Sequence, residues 1–114
     1  MLSKDNKGIA AEVISDAIKL ISNPKNWTKG TKARASSYTY ADSVPSWLTI
    51  ADKWSIDGAI ERCSIDLECY NIYLQILFEI ENECGMRATE FNDKASHQEV
   101  ISLLNKVKNK ISLL

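Results

Sequence analysis

The most apolar part of the chain is the stretch IDLECYNIYLQILFEIENEC, residues 65–84. Its apolar residues fall on most sides of a helix rather than on one stripe, which is typical of a helix at the centre of a small domain. Cys84 is followed by Gly85, and glycine readily takes the left-handed conformation that ends a helix. We therefore predict a central helix, the third in the chain, that runs through this stretch and ends at Gly85.

Two amphipathic segments precede this stretch. Apolar residues recur at steps of three and four between Ile9 and Ile21, which predicts a helix over residues 5–22 that Pro24 ends. A second helix is predicted from Asp52 or Ser55 to about Cys63 or Ser64.

A fourth helix is predicted to begin after Ser96, because Ser96 and Glu99 have the spacing of a capping box. Its apolar residues follow a four-three-four-three spacing that forms a narrow seam. This seam could pack on the third helix or on a second copy of the chain, which predicts a homodimer through residues 100–114. The seam consists of Val100, Leu104, Val107, Ile111 and Leu114, broadened by Leu103.

Residues 24–53 lack helical periodicity and are rich in serine, threonine and β-favouring side chains. They predict a short β-hairpin with strands at Ala33–Tyr38 and Trp47–Ile50 and a turn at Ala41–Ser46. The sequence thus predicts a mainly α fold, α+β at most, with about four helices and a short hairpin or irregular insertion after the first helix. We expect residues 1–114 to form one domain.

The charge balance argues against several classes of function. The chain has 114 residues, with 14 lysines and arginines against 15 acidic residues and a formal net charge of −1. Such a chain has no overall field that would attract nucleic acid or anionic lipid. We also find no unbroken apolar run typical of a signal peptide and no apolar stretch of about 18 residues, so we expect a cytoplasmic protein with no membrane partner.

Metal and nucleophile chemistry depend on three cysteines and one histidine. Cys63, Cys69, Cys84 and His97 have the stoichiometry of a zinc site, but Cys69 and Cys84 would lie roughly 22 Å apart on one helix. We therefore expect no metal and no cofactor, and the four glycines form no phosphate-binding motif. A catalytic pair of His97 with Cys63 or Cys84 stays open, although buried cysteines and a histidine facing water are the simpler interpretation.

One basic loop is the best candidate for partner binding. Trp27 lies among the cations Lys25, Lys29, Lys32 and Arg34. Tryptophan and arginine are enriched among residues that anchor protein–protein interfaces. The same mixture could stack a nucleic-acid base and neutralise phosphates. We assign Trp27, Lys29, Lys32 and Arg34 as candidate partner-binding residues.

Four short motifs occur in order along the chain: W-T-K-G at 27–30, A-R at 33–34, W-S-I-D-G-A-I at 54–60 and F-N-D at 91–93. Together they resemble a family of short uncharacterised phage and bacterial proteins that carry W-x-x-G, A-R, W-C-x-x-G-A-[IL] and [WF]-N-D. Ser55 stands where that family usually has cysteine, so no role of that cysteine carries over. The resemblance implies a compact helical fold, a phage context and no particular reaction.

The resemblance also implies that the motif residues form one region. We expect Trp54, Gly58, Asn92 and Asp93 to form a structural or pocket cluster with Trp27, Gly30 and Arg34. Glycine inside a helix costs about 0.5–1 kcal/mol, so Gly58 suggests close approach of another segment, for which the Trp27 loop is the candidate. Asn92 and Asp93 would then bind the loop backbone and Arg34, which favours a structural latch over an active site.

These observations predict a small protein-interaction protein of phage or mobile-element origin that binds a host or phage protein. An inhibitor of a bacterial defence system would fit its size and its lack of catalytic motifs. One alternative is an accessory protein that contacts nucleic acid through the Trp27 loop. A second is an enzyme with a pocket around Arg34 and Asp93, but the sequence favours a binding protein.

Overall fold

The computed structural model describes residue 2, residues 5–36 and residues 43–113. Five helices and three strands occur in these parts of the chain, with 3-10 turns at Pro24–Asn26 and Tyr70–Ile72. The fold is mainly helical with a small antiparallel sheet, which confirms the predicted class, although the prediction had four helices. The elements are α1 (Lys7–Leu20), β1 (Ala33–Arg34), β2 (Ser43–Val44), β3 (Lys53–Trp54), α2 (Ile56–Asp66), α3 (Tyr73–Cys84), α4 (Ala88–Lys94) and α5 (His97–Ser112).

The core lies where α5 packs against α1 and α3 and where α2 packs against the same two helices. The α5 seam from Val100 to Ile111 is buried inside this chain. A second copy would therefore reach the exposed side of α5, and the predicted homodimer stays a prediction. The largest fully buried side chains include Ile14, Ile21, Ile56, Ile60, Ile72, Ile76, Ile80, Leu104 and Ile111.

The start of α5 has the predicted capping box. Ser96 Oγ accepts a hydrogen bond from Glu99 N at 3.1 Å, and Glu99 Oε1 accepts one from Ser96 N at 2.9 Å. Lys106 and Lys110 near its other end bind the Glu83 carboxylate at 2.9 and 3.0 Å. These lysines therefore join α5 to α3.

The predicted third helix is interrupted near its start. The α2 helix continues to Asp66, and Glu68 then takes a left-handed backbone conformation with φ of 56°. A 3-10 turn follows before α3 begins at Tyr73. The prediction that this segment is buried on most sides is also wrong, because Leu74 is 70% exposed and Phe78 is 52% exposed.

The sheet differs from the predicted hairpin. Strand β1 pairs in antiparallel register with both β2 and β3 and lies between them. The predicted strand at Trp47–Ile50 is wrong, because hydrogen bonds from Leu48 N to Pro45 O and from Ala51 N to Leu48 O form turns there. Residues 37–42, in the predicted first strand and turn, lie outside the described residues.

Helix α4 was missing from the prediction. It is only seven residues long and buries Ala88 and Asn92, so it lacks a readable apolar stripe. Its first backbone N–H, from Ala88, donates to Glu81 Oε2 of α3 at 2.8 Å. Within the described ranges, no helix combines the length and apolar character needed to cross a membrane.

Candidate functional site

Helix α4 holds the Trp27 loop, residues 27–34, against the start of α2. Asn92 is 1% exposed, and its Oδ1 accepts hydrogen bonds from Trp27 Nε1 at 2.8 Å and Ile56 N at 3.0 Å. Asn92 Nδ2 donates to Thr28 O at 2.9 Å. Asp93 Oδ1 accepts from Gly30 N at 2.8 Å. These four bonds form a latch: three join α4 to the Trp27 loop across more than 60 residues, and the fourth joins α4 to the start of α2 across 36 residues.

The same loop lies directly on Gly58 of α2. A Cβ atom at Gly58 would be 1.8 Å from the carbonyl oxygen of Lys32, so only glycine fits without movement. The Lys32 carbonyl also accepts a hydrogen bond from Ser55 N at 3.0 Å, and Thr28 N donates to Trp54 O at 3.1 Å. The predicted close approach at Gly58 is therefore present, and its partner is the Lys32 backbone.

The predicted partner-binding side chains contribute to the shape of this loop. Trp27 is half-buried, with Lys29 Nζ 5.3 Å from the centre of its rings. Arg34 Nε donates to Thr28 Oγ1 at 2.8 Å, and its Nη2 donates to Lys29 O at 3.0 Å. Lys32 Nζ donates to Glu61 Oε2 of α2 at 3.0 Å. Each of these contacts joins the loop to itself or to α2.

The predicted cluster residue Trp54 lies at the base of the loop. It is 6% exposed, and its Nε1 donates to Ser46 O at 3.0 Å. The Arg62 guanidinium lies 5.6 Å from the centre of its rings, in the range of a cation–π contact. The structure thus brings Trp27, Gly30, Arg34, Trp54, Gly58, Asn92 and Asp93 into one region.

Sequence reasoning missed two carboxylates one helical turn apart on α2. Glu61 Oε1 accepts from Ser46 Oγ at 2.6 Å, and its Oε2 accepts from Tyr70 Oη at 3.2 Å. Asp57 accepts a hydrogen bond from Tyr73 Oη and lies 4.0 Å from Lys32 Nζ. Lys32 therefore forms ion pairs with both carboxylates, but its Nζ is closer to Glu61.

Their environments move the two pKa values in opposite directions. Burial raises the pKa of Asp57 and outweighs the hydrogen bond from Tyr73 and the charge of Lys32. Burial also acts to raise the pKa of Glu61, but the hydrogen bonds from Ser46 and Lys32 overcome it, and the net pKa lies below its usual value. Glu61 is thus a well-compensated charge, and Asp57 is a poorly compensated one.

The Glu61 network gives a prediction about pH. Because its folded pKa is lowered, the ionised group stabilises the fold above the ordinary glutamate pKa, and this contribution disappears as pH falls through the folded pKa. We expect Glu61→Gln to lower the free energy of unfolding by about 1–2 kcal/mol at pH 7 and by clearly less at pH 3. Urea unfolding at the two pH values measures this difference.

The exposed carboxylate Glu12 of α1 provides the matched control. Glu12→Gln is expected to change the free energy of unfolding by less than about 0.5 kcal/mol at pH 7. If Glu61→Gln lowered the free energy of unfolding equally at both pH values, the charge of Glu61 would contribute nothing to stability, and this would contradict the prediction.

Exposed apolar side chains lie on α3 and on the 3-10 turn that precedes it. Leu74 and Phe78 of α3 are 70% and 52% exposed, and Tyr70 of the turn is 52% exposed. Leu74 and Phe78 are four residues apart on one helix, so their side chains lie next to each other. We call these three residues the α3 face. The four-residue spacing can be read from the sequence. The sequence does not show that these residues are exposed, because the segment has apolar residues on most sides of the helix.

Two neighbouring cavities lie near Asp57, and the larger one borders the α3 face. A cavity of about 410 Å³ is lined by Asp57, Tyr73, Leu74, Leu77, Phe78, Glu81, Arg87 and Thr89. A cavity of about 220 Å³ is lined by Gly30, Thr31, Lys32, Ser55, Asp57, Thr89, Asn92 and Asp93. Because both linings include Asp57 and Thr89, the two cavities adjoin. We call the two cavities together the acidic groove.

The cysteines and the histidine lie elsewhere. Cys63 and Cys69 are buried, and burial raises the pKa of Cys63 to about 12, which keeps its thiol protonated. His97 begins α5 as predicted, but the expectation that it faces water is wrong. It is half-buried, with Nε2 2.6 Å from Ile21 O. Among the residues that the structure describes, no group of three potential ligands is placed to hold a metal ion.

Comparison of this chain with protein-family models, with curated proteins and with solved structures finds no match. The motif resemblance therefore stays a prediction.

Proposed function

We propose that this protein acts by binding another protein, and that the α3 face is the contact surface. The observation that carries this proposal is the row of three large apolar side chains, each more than half exposed, beside a groove. Contiguous exposed apolar surface of this kind marks interaction sites on small proteins. Aromatic residues such as Tyr70 and Phe78 are also enriched at the centres of interfaces.

The rigidity of α3 supports this choice of surface. The opposite side of the helix is anchored in the core by Ile76 and Ile80, which are both 0% exposed. Tyr73, at its first turn, is held by its hydrogen bond to Asp57 and by stacking on Tyr70 at 5.4 Å. A surface that is already ordered loses little entropy when a partner binds. In the Trp27 loop, in contrast, Lys32 and Arg34 make hydrogen bonds within the protein.

The proposed context follows from the sequence. We propose a cytoplasmic protein of phage or mobile-element origin whose target is a host or phage protein. We propose that it inhibits a bacterial defence system, because an inhibitor can act through a binding surface alone and can be small. The motif resemblance supports the phage context.

Replacing the apolar row tests the contact surface. We expect the double variant Leu74→Gln, Phe78→Gln to bind its partner at least about thirty times more weakly than the wild type. Truncating a central hot-spot residue costs about 2 kcal/mol or more of binding free energy. The protein itself should stay folded, since both side chains are exposed and glutamine is a good helix former. Affinity purification from a bacterial lysate, with mass spectrometry and circular dichroism, measures both results.

Ile9 offers the matched control, because it is 42% exposed on α1, away from the α3 face. Ile9→Gln should retain every protein that the wild type captures. A stoichiometric partner that survives the double variant, or that is lost equally with Ile9→Gln, would contradict the assignment of the α3 face.

A further inference from the structure

Resting on the function proposed above, we propose that the partner contributes a basic amphipathic helix: its apolar side packs on the α3 face and one arginine or lysine side chain enters the acidic groove. The chemistry of the larger cavity, the charges around it and the spacing of the α3 face carry this inference.

The walls of the larger cavity suit a long cationic side chain. Leu74, Leu77 and Phe78 provide apolar surface, and the Asp57 and Glu81 carboxylates line the same space of about 410 Å³. Arginine and lysine carry an apolar stem that packs on such walls and a charged end that binds carboxylates. A cation near the exposed ring of Phe78 gains further attraction from its π face.

The charges that line the groove are not balanced. Its described lining contains the carboxylates Asp57, Glu81 and Asp93 against the cations Lys32 and Arg87. Lys32 is shared with Glu61, which it approaches to 3.0 Å, whereas it stays 4.0 Å from Asp57. The remaining cation, Arg87, is exposed, and Asp57 is half-buried.

Asp57 is thus the carboxylate that gains most from an added cation. Its raised pKa reflects a buried charge that its own neighbours compensate incompletely. The Glu81 carboxylate accepts a hydrogen bond from an uncharged donor, Ala88 N. A partner guanidinium between these two carboxylates would supply the missing positive charge.

The spacing of the α3 face indicates the form of the partner segment. Leu74 and Phe78 lie one helical turn apart on α3, with Tyr70 in the 3-10 turn before them, and the side chains of a second helix at the same spacing interlock with such a pair. In this mode of recognition an amphipathic helix lays its apolar side into a groove. A basic residue next to its apolar stripe would then lie over the acidic groove.

A library of peptides displayed on phage tests this proposal. The probes are helical peptides of about 16 residues with a fixed leucine stripe and randomised flanking positions. They are selected on the wild-type protein and then counter-selected on the Leu74→Gln, Phe78→Gln variant. We expect the enriched peptides to carry arginine or lysine at one flanking position. Replacing that arginine by neutral citrulline in a synthetic peptide should weaken binding about tenfold or more.

The protein side of the same contact is tested with Asp57→Asn, which keeps an oxygen that can accept from Tyr73. This variant should bind the arginine peptide about tenfold more weakly but lose little affinity for the citrulline peptide. Because the citrulline comparison uses the wild-type protein, it gives an answer even if Asp57→Asn folds poorly. Glu12→Gln, on the exposed surface of α1, is the control and should bind both peptides like the wild type.

The outcomes separate this inference from the function on which it rests. Enriched peptides that need Leu74 and Phe78 but show no preference for a basic residue, or that bind equally after citrulline replacement, would overturn the basic-helix proposal and leave the α3 face as a binding surface. Peptides that bind the double variant as well as the wild type, or no enrichment at all, would overturn both.

Discussion

Replacing Gly58 by alanine is expected to destabilise the fold by about 3 kcal/mol or more. The new Cβ atom would lie 1.8 Å from Lys32 O and 2.6 Å from Lys32 C, and both are backbone atoms that no rotamer change can move. The loop would have to shift away from α2, which would break the hydrogen bond from Ser55 N to Lys32 O. The intrinsic gain of about 1 kcal/mol from alanine in a helix would not offset this loss. Urea unfolding measures the change in the free energy of unfolding.

Gly8 gives the matched comparison within the same chain. It lies in α1, and a Cβ atom there would meet nothing within 4 Å in the described structure. Gly8→Ala should therefore be neutral or stabilising by up to about 1 kcal/mol. If Gly58→Ala behaved like Gly8→Ala, the Trp27 loop would not lie against α2 as described.

Asn92→Ala is expected to lower the free energy of unfolding by about 3 kcal/mol. The substitution removes the shared partner of Trp27 Nε1, Ile56 N and Thr28 O, and each loses a hydrogen bond of 2.8–3.0 Å. The cost is large because Asn92 is 1% exposed, so water replaces these bonds poorly. The Trp27 indole should become more exposed, which tryptophan fluorescence would report as a red shift alongside the unfolding measurement.

Asn105 separates this effect from the mere loss of an asparagine side chain. It is exposed on α5, where its Nδ2 donates to Ile101 O within the same helix at 3.1 Å. Asn105→Ala should change stability by less than about 0.5 kcal/mol. Equal losses in the two variants would mean that Asn92 does not hold the latch.

The latch matters for the proposed function because it builds one side of the acidic groove. Gly30 and Asp93, which its bonds join, both line the smaller cavity. Asn92 also fixes the start of α2 through Ile56 N, one residue before Asp57. A loosened latch would therefore displace the carboxylate that we propose to meet the partner's cation.

Part of this architecture was predictable from the residues. The apolar period of α1 and the capping box at Ser96 correctly indicated helices. A glycine inside a helix pointed to a close approach, and the structure shows the Lys32 backbone at Gly58. Such signals were readable because each depends on residues that are neighbours in sequence or on a rule about one residue type.

The remainder depends on contacts between distant residues. Lys32 and Glu61 are 29 positions apart, so Glu61 in the sequence resembles an ordinary solvated charge of a helix. Strands of two residues have no period to detect, which is why β2 lies in the segment predicted as a turn and β3 was not predicted as a strand. The exposure of Leu74 is set by which side of α3 the other helices leave uncovered, and no pattern within residues 65–84 encodes that choice.

Site-specific photo-crosslinking tests the central claim, that the α3 face is the surface where a partner protein binds. Benzoylphenylalanine is placed at position 74 or, as a control, at position 9, both exposed in the free protein, and the protein is irradiated in bacterial cells. We predict a discrete crosslinked protein from position 74 and none of that mass from position 9. No crosslink from position 74, or the same products from both positions, would contradict the account.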